Sequence, residues 1–222
     1  MNLVFVHIPK AAGTSIGYVL RHSIGPELCY HAGRREETQK LREMSVGDLK
    51  KYRYISAHMT YPELLRLAGE DSRFITVVRD PVDRFISLYY FLLESKWHYE
   101  HEFAKSHDLE SFVEMYSDNA EGGMDRKTIF SQSRFICGSC DAAMAMDYLD
   151  TKYFLAAPLE KIDQFLWKLF ARQRLIPIEL NRVNTTKKRP AVKDVSETLR
   201  ERIRSIFADD VVVHRHLLES FR

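Results

Sequence analysis

One segment decides the fold of this chain, Leu3-Val-Phe-Val-His-Ile-Pro-Lys-Ala-Ala-Gly-Thr-Ser15. Residues 3–8 are largely apolar and predict a buried strand, which a tight turn connects to the helical pattern of residues 16–20. In a strand, loop and helix of this kind, the N–H groups of the first helical turn and the positive end of the helix dipole face the loop. The segment therefore has the layout of a phosphate-binding loop.

The loop offers both small and polar residues to an anion. Its candidate ligands follow one another as Lys10, Ala11, Ala12, Gly13, Thr14 and Ser15. The small residues would let the backbone approach closely, while the lysine adds an ammonium group and the last two residues add hydroxyl donors. A plain strand-to-helix turn with a capping threonine and a solvated lysine would have the same spacing, so the segment alone leaves both interpretations open.

The loop differs from a Walker A motif, in which the lysine directly precedes the hydroxyl residue that binds magnesium. Here Lys10 comes three residues before Gly13. A lysine at the front of the loop suits a ligand that carries no magnesium-bound triphosphate. The departure argues against a nucleoside triphosphatase.

Further short apolar segments alternate with helical periodicity along the chain. Strands are predicted at residues 3–8, 52–57, 74–78 and 152–156. This alternation predicts an α/β fold, P-loop-like, with three layers in which a central parallel sheet is flanked by helices. Without an internal repeat or a linker-like stretch, residues 1–222 are expected to form a single domain.

The amino-acid composition limits the binding partners that this chain can have. The 33 Lys and Arg residues nearly balance the 31 Asp and Glu residues, which gives a formal charge of +2 and no broad attraction for nucleic acid or an acidic membrane. Residues 1–25 lack the pattern of a signal peptide, and no apolar stretch is long enough to span a bilayer. We therefore expect a cytoplasmic protein with no membrane segment in this chain, or alternatively the soluble catalytic domain of a longer, membrane-anchored protein.

A second segment repeats the layout of the first. Residues 74–78 predict a buried strand, and Asp80 and Pro81 are typical of a helix N-cap and first turn. Arg79 would then lie at the carboxyl end of the strand, where ligands of open α/β sheets bind. Asp80 and Arg84 are four residues apart and could form an ion pair. A capped amphipathic helix with a surface ion pair would show the same pattern.

The two segments together resemble the PAPS-dependent sulfotransferases, PAPS being 3′-phosphoadenosine 5′-phosphosulfate. The resemblance is to the branch that modifies carbohydrates such as heparan and chondroitin, and to its small bacterial relatives. Residues 7–15 look like the family's loop for the 5′-phosphosulfate, and residues 79–87 look like its R-D-P-x-x-R-x-x-S element for the 3′-phosphate. The resemblance spans most of the chain and is strongest in the first 90 residues.

The resemblance implies roles for individual residues. The loop, Lys10 above all, would hold the 5′ end of PAPS, while Arg79 and Ser87 would hold its 3′-phosphate and Arg84 would orient that site. Residues 131–138 are similar to a polar segment that lines the active-site region in the small relatives. Residues 184–190, including Lys188, stand where the family has a basic loop that closes over the donor, although a solvated basic turn before a proline is an equal alternative.

A histidine is the candidate base. His58 follows the second predicted strand, and a histidine at this point acts as the base in similar carbohydrate sulfotransferases; His7 is its rival. The resemblance implies in-line transfer of a sulfuryl group to an acceptor hydroxyl, expected on a carbohydrate, with 3′,5′-diphosphoadenosine as the product. Lys10 would neutralise charge on the leaving group. A small-molecule kinase and a non-catalytic nucleotide- or glycan-binding module are the alternatives.

Neither the cysteines nor a histidine-rich stretch predicts a metal site. Cys137 and Cys140 form a C-x-x-C without the second pair of a zinc ribbon. His98, His101 and His107 lie in a polar stretch typical of an exposed helix or lid. No metal is expected.

Overall fold

The computed structural model describes residues 2–118, 120–179 and 189–221. Its centre is a five-stranded, all-parallel sheet in the order β2-β3-β1-β4-β5. The strands are β1 Leu3–Val6, β2 Cys29–Ala32, β3 Tyr54–Ala57, β4 Arg73–Val78 and β5 Leu155–Pro158. The predicted α/β class with a central parallel sheet is confirmed.

Helices cover the sheet on both faces and build a lobe beside it. In chain order they are α1 Gly13–Ile24, α2 Arg35–Glu43, α3 Val46–Leu49, α4 Tyr61–Ala68, α5 Pro81–Glu94, α6 His101–Lys105, α7 Leu109–Glu114, α8 Gly123–Phe130, α9 Gln132–Cys137, α10 Ala142–Thr151, α11 Ile162–Gln173, α12 Glu197–Ile206 and α13 Ala208–Ser220. Within the described ranges, none of them combines the length and the apolarity that crossing a bilayer requires.

Alternation along β1 explains the two faces of the sheet. Leu3 and Phe5 belong to one apolar cluster, and Val4 and Val6 belong to another, because successive side chains of a strand point to opposite faces. All four are almost fully buried. Because β1 is buried on both faces, its sequence is a continuous apolar run, the pattern that predicted a buried strand here.

A third apolar cluster lies in the lobe formed by α5, α7 and α12. Phe85 of α5 packs against Phe112 and Tyr116, with ring centroids 5.6 and 4.9 Å away, and against Phe207 at 5.5 Å. These rings hold α5 against the helical lobe. The start of α5, which follows β4, is thereby fixed beside the sheet.

The register of the sheet aligns the strand ends. Val6 of β1 is paired with Ala57 of β3, and Ala57 is paired with Ala32 of β2. The residues that follow β1 and β3 therefore emerge side by side at the carboxyl edge. Arg79 follows β4 at the same edge, on the other side of β1.

The structure departs from the sequence-based strands at two places. The strand β2 was not predicted at all. The strand predicted at residues 152–156 is displaced to Leu155–Pro158, because α10 continues to Thr151 and Tyr153 packs into an apolar cluster. Pro81, as predicted, begins α5 with Asp80 as its N-cap.

Candidate active site

The loop after β1 has a constrained backbone. Lys10 and Ala12 adopt left-handed conformations with φ angles of 66° and 59°. Such conformations cost a non-glycine residue about 1 to 3 kcal/mol and are concentrated at functional sites. Ala12 is the N-cap of α1, and no described side chain caps that helix end. The first turn of α1 therefore presents backbone N–H groups and the positive end of the helix dipole toward Lys10.

Gly13 packs directly against a histidine ring. A Cβ atom added at Gly13 would lie 1.9 Å from Nε2 of His7, which is far inside van der Waals contact. The His7 ring is itself fixed, since it is 5% exposed and stacks on Phe5 with ring centroids 5.3 Å apart. The sequence analysis attributed the small residue at Gly13 to the close approach of an anion. Packing against the His7 ring requires a small residue there as well.

The Lys10 side chain lies against the helical lobe. Its Nζ atom is 4.1 Å from the centroid of the Phe91 ring, a cation–π contact. Partial burial, together with the positive charges of Arg79 and Arg189, lowers the pKa of Lys10 to about 8, while Glu94 opposes that shift. The ammonium is charged at neutral pH, and a bound anion would offset the repulsion around it.

Arg79 connects the two predicted anion sites. Its Nη1 donates to the carbonyl oxygen of Lys10 at 2.9 Å, and its Nε donates to Oδ2 of Asp83 at 2.7 Å. Nη2 binds the same carboxylate oxygen at 2.5 Å. A guanidinium has five N–H donors, so these three contacts fix its orientation and leave donors for an anion.

Asp83 also binds the guanidinium of Arg189. Oδ1 of Asp83 lies 2.7 Å from Nη2 of Arg189, and the backbone oxygen of Asp83 accepts from Nη1 of Arg189 at 3.1 Å. One carboxylate therefore holds two cations beside Lys10. The result is a local excess of positive charge in a nearly neutral chain, as an anion site requires.

Arg84 supports the loop from behind. It is 5% exposed, and its Nε and Nη1 donate to the carbonyl oxygens of Pro9 and Phe130 at 2.9 and 2.5 Å. The expected ion pair with Asp80 is not formed; Asp80 instead caps α5 by accepting from the backbone N–H of Asp83. These contacts fit the orienting role that the resemblance implies for Arg84. Ser87, one turn farther along α5, is 4% exposed.

Gln132 fixes the backbone of Arg79. Its Oε1 accepts from the Arg79 N–H at 3.0 Å, and its Nε2 donates to the Arg79 oxygen at 2.8 Å. The buried carboxylate of Asp210 in α13 accepts in turn from the backbone N–H groups of Gln132 and Ser133, at 2.8 and 2.9 Å. The segment 131–138 thus supports the predicted second anion site through the side chain of Gln132, and Asp210 holds the backbone of that segment.

His58 lies next to the loop with a defined tautomer. Its Nδ1 is 2.9 Å from the carbonyl oxygen of His7, and the ring centroids of the two histidines are 4.1 Å apart. A carbonyl oxygen only accepts, so Nδ1 carries the proton and the lone pair of the neutral ring is on Nε2. Burial lowers the pKa of His58 to about 4, although the bond to His7 opposes the shift. The neutral, proton-accepting form therefore prevails at neutral pH.

A third histidine, which the sequence analysis missed, joins this group from β2. His31 Nδ1 lies 3.3 Å from Oγ of Ser56, and the same hydroxyl is 3.5 Å from Nδ1 of His7. The His31 and His58 rings meet edge to face at 6.4 Å. The carboxyl ends of β1, β3 and β2 thus each contribute one histidine to the same edge.

A cavity of about 460 Å³ opens beside this histidine group. It lies between the face of α1 that carries Gly13, Gly17 and Arg21 and the side of the sheet formed by His31 of β2 and by Tyr54, the first residue of β3. Its lining residues are Gly13, Thr14, Gly17, Tyr18, Arg21, His22, Pro26, His31 and Tyr54. The volume is sufficient for a small organic group.

Comparison with protein families identifies this arrangement. The model of the sulfotransferase family matches residues 1–215, almost the whole chain. The chain belongs to the sulfotransferase family. Both predicted anion loops of this sulfotransferase lie within the matched residues.

Curated relatives of this sulfotransferase carry a more specific name. Heparan sulfate 2-O-sulfotransferase 1 of Homo sapiens is 26% identical over an alignment that covers 77% of this chain and 54% of that protein. The Mus musculus protein of the same name is also 26% identical, with 76% and 54% covered. The chain spans about half the length of the curated relatives it matches.

A solved structure has the same fold as this sulfotransferase. It is a sulfotransferase from Alicyclobacillus acidocaldarius, with a TM-score of 0.53 and 16% identity, covering 99% of this chain and 96% of that one. The predicted P-loop-like, three-layer fold is thereby confirmed.

Some residues singled out in the sequence lie elsewhere in this sulfotransferase. Lys188 falls outside the described residues. Among the described residues there is no group of three or more His, Cys, Asp or Glu side chains arranged to hold a metal ion. His101 is buried and bonds through Nδ1 to the carbonyl oxygen of Leu92. Cys137 and Cys140 are free thiols.

Proposed function

We propose that this sulfotransferase transfers a sulfuryl group from PAPS to a hydroxyl group of a carbohydrate, with His58 as the general base. One observation carries the proposal. The 2.9 Å hydrogen bond from Arg79 Nη1 to the carbonyl oxygen of Lys10 joins two anion-binding loops into one site. A donor that carries phosphate at both its 3′ and 5′ positions requires such a pair.

The residues present fit PAPS. Lys10 and the backbone N–H groups of residues 12–14 would hold the 5′-phosphosulfate, since no described side chain caps the first turn of α1 there, whereas the Ala11 N–H donates to the Ile8 oxygen at 3.3 Å. Arg79 and Ser87 would hold the 3′-phosphate, and Arg84 would orient that end through Pro9. When bound, the donor supplies the sulfuryl group that is transferred.

The chain's own residues then have separate tasks. His58 Nε2 would accept the proton of the acceptor hydroxyl, while His7 holds the ring in place through Nδ1. Lys10 and the N–H groups of the first helical turn would stabilise the negative charge that develops on the leaving 5′-phosphate oxygen. As in phosphoryl transfer, positioning and electrostatic stabilisation would account for most of the rate.

The sheet order supports a position for the base beside the donor loops. The two anion loops follow β1 and β4, while β3 and β2 lie on the opposite side of β1. His58 follows β3, and His31 of β2 lines the 460 Å³ cavity on that opposite side. The acceptor hydroxyl would meet His58 at the carboxyl end of β3, beside the loop that holds Lys10. A carbohydrate is favoured because the curated relatives are named for heparan sulfate.

Two measurements test the proposal. Incubation with labelled PAPS and a panel of glycans should give labelled glycan, and His58→Ala should abolish the transfer while its affinity for 3′,5′-diphosphoadenosine stays unchanged. His216→Ala is the matched control, because His216 pairs with Asp150 outside the site and its loss should leave the rate intact. Full activity of His58→Ala would remove that residue as the base.

Ligand-induced thermal stabilisation separates the alternatives. The protein should be stabilised by 3′,5′-diphosphoadenosine and not by ATP with magnesium. Stabilisation by ATP alone would favour the kinase interpretation. Donor binding without transfer to any glycan, lipid or phenol would favour a non-catalytic module. The cytoplasmic location stays a prediction from the sequence.

A further inference from the structure

A turn after α5 exposes two large aromatic side chains. Trp97 is 74% exposed and Tyr99 is 80% exposed, with His98 between them. Single exposed apolar residues are common on protein surfaces, but adjacent exposed aromatic rings mark interaction sites. The turn follows the helix whose first residues shape the 3′-phosphate site.

The turn is held in shape before any ligand arrives. The His98 N–H donates to the Ser95 oxygen at 2.8 Å, and the His101 N–H donates to the His98 oxygen at 2.9 Å. The imidazole of His98 stacks on Tyr99 with centroids 4.6 Å apart and meets Trp97 at 5.7 Å. The two rings are therefore already ordered, so a ligand that binds them would cause little further loss of side-chain entropy.

The exposed rings are connected to the lysine of the anion loop. Lys10 Nζ lies over the Phe91 ring, and that ring meets Trp97 at 6.1 Å and His98 at 6.0 Å. Only one ring separates Trp97 from the ammonium beside which the sulfuryl group would be transferred. The surface is thus continuous with the candidate active site.

We propose that Trp97 and Tyr99 form a subsite for a sugar ring that flanks the sulfated one, so that the acceptor is an oligosaccharide chain. The proposal rests on the proposed function. The C–H faces of a pyranose pack on aromatic rings while its hydroxyl groups remain in water, which suits an open surface better than a closed pocket. Stacking of the donor's adenine is less consistent with the geometry, because Trp97 is linked to Lys10 at the sulfuryl end of the site.

The test compares acceptors of different length. Trp97→Ala and Tyr99→Ala should each raise KM for a heparan-type octasaccharide by about tenfold, a typical effect of truncating an aromatic contact. The KM for the corresponding disaccharide and the affinity for 3′,5′-diphosphoadenosine should not change. Trp167→Ala, which removes a similarly exposed ring, 65% accessible, from α11, is the matched control and should leave all three values unchanged. Equal KM values for the octasaccharide in variants and wild type, or weakened nucleotide binding, would overturn the proposal.

Fluorescence gives a readout that does not depend on turnover. The chain has two tryptophans, so Trp167→Phe leaves Trp97 as the single reporter. Titration with the octasaccharide should quench or shift its emission, whereas the disaccharide should not. An unchanged spectrum at saturating octasaccharide would overturn the subsite. Absence of transfer to every acceptor would refute the proposed function instead, and the titration would still decide the subsite.

Discussion

The guanidinium of Arg84 donates through Nε to the carbonyl oxygen of Pro9, 2.9 Å away, and thereby ties α5 to the loop that follows β1. Lysine cannot reach the Pro9 and Phe130 oxygens at once, because it lacks the planar fork of arginine. We expect Arg84→Lys to weaken binding of 3′,5′-diphosphoadenosine at least tenfold and to lower the free energy of unfolding by about 1 to 3 kcal/mol.

Calorimetric titration and urea unfolding measure the two effects of Arg84→Lys. The matched control is Arg66→Lys on the exposed side of α4, which should change neither value. Wild-type affinity in Arg84→Lys would show that the loop keeps its shape without this bond.

The contact between Gly13 and His7 predicts opposite results for two neighbouring glycines. Gly13→Ala would place Cβ against the His7 ring, so we expect loss of nucleotide binding and a fall in Tm. A Cβ at Gly17, one turn along α1, would meet only Tyr54 Oη at 3.9 Å. Gly17→Ala should therefore keep nucleotide affinity and raise stability by up to about 1 kcal/mol, the usual helix preference for alanine.

Thermal unfolding gives the Tm of both alanine variants, and nucleotide titration gives their affinities. If Gly13→Ala bound nucleotide as well as Gly17→Ala does, the packing of His7 would not define the loop.

The lowered pKa values of His58 and Lys10 predict a bell-shaped pH profile for kcat/KM. The base must be deprotonated, so the rate should fall as pH drops through about 4, the pKa of His58. Anion binding needs protonated Lys10, so the rate should also fall as pH rises through about 8. Lys10→Arg should lose the alkaline limb, because a guanidinium stays charged there. An acid limb centred near 6.5, the ordinary histidine value, would contradict a buried His58 as the base.

The pair of hydrogen bonds between Gln132 and the Arg79 backbone predicts a selective defect. Gln132→Leu should release Arg79, so the preference for 3′,5′-diphosphoadenosine over adenosine 5′-monophosphate should shrink. A general loss of protein stability alone would weaken the binding of both nucleotides equally. Gln39→Leu on exposed α2 is the control and should preserve the ratio. An unchanged ratio in Gln132→Leu would separate Gln132 from 3′-phosphate recognition.

The fold could be predicted where the local pattern is strong. β1 and β4 are apolar on both faces, and Asp80 with Pro81 is an ordinary start signal for α5, so these elements could be placed from the sequence. The strand β2 was missed because Cys29–Ala32 is a short edge strand that is only partly buried, and its hydrogen bonds come from β3. Ser196 caps α12, and a 3-10 turn at Val192–Asp194 precedes it.

Some residues of the candidate site could be predicted from the sequence, and others could not. Lys10, Arg79 and His58 stand at strand ends and were found from their positions. His31 was missed together with its strand. Gln132 acts on Arg79 across 53 positions of sequence, and no local pattern records such a contact. Arg79 precedes the N-cap of α5, so its ion pair with Asp83 is not a pair within the helix, and helical spacing did not predict it.

Asp210 has a consequence for the order in which this protein becomes functional. The two predicted anion loops lie between positions 7 and 87, yet the segment that fixes Arg79 is itself fixed by a carboxylate in α13. A ribosome releases the chain from its amino end, so both anion loops emerge long before Asp210 does. The nascent chain would therefore acquire a stable nucleotide site only when α13 has docked, and chains that end before α13 would not sequester the nucleotide.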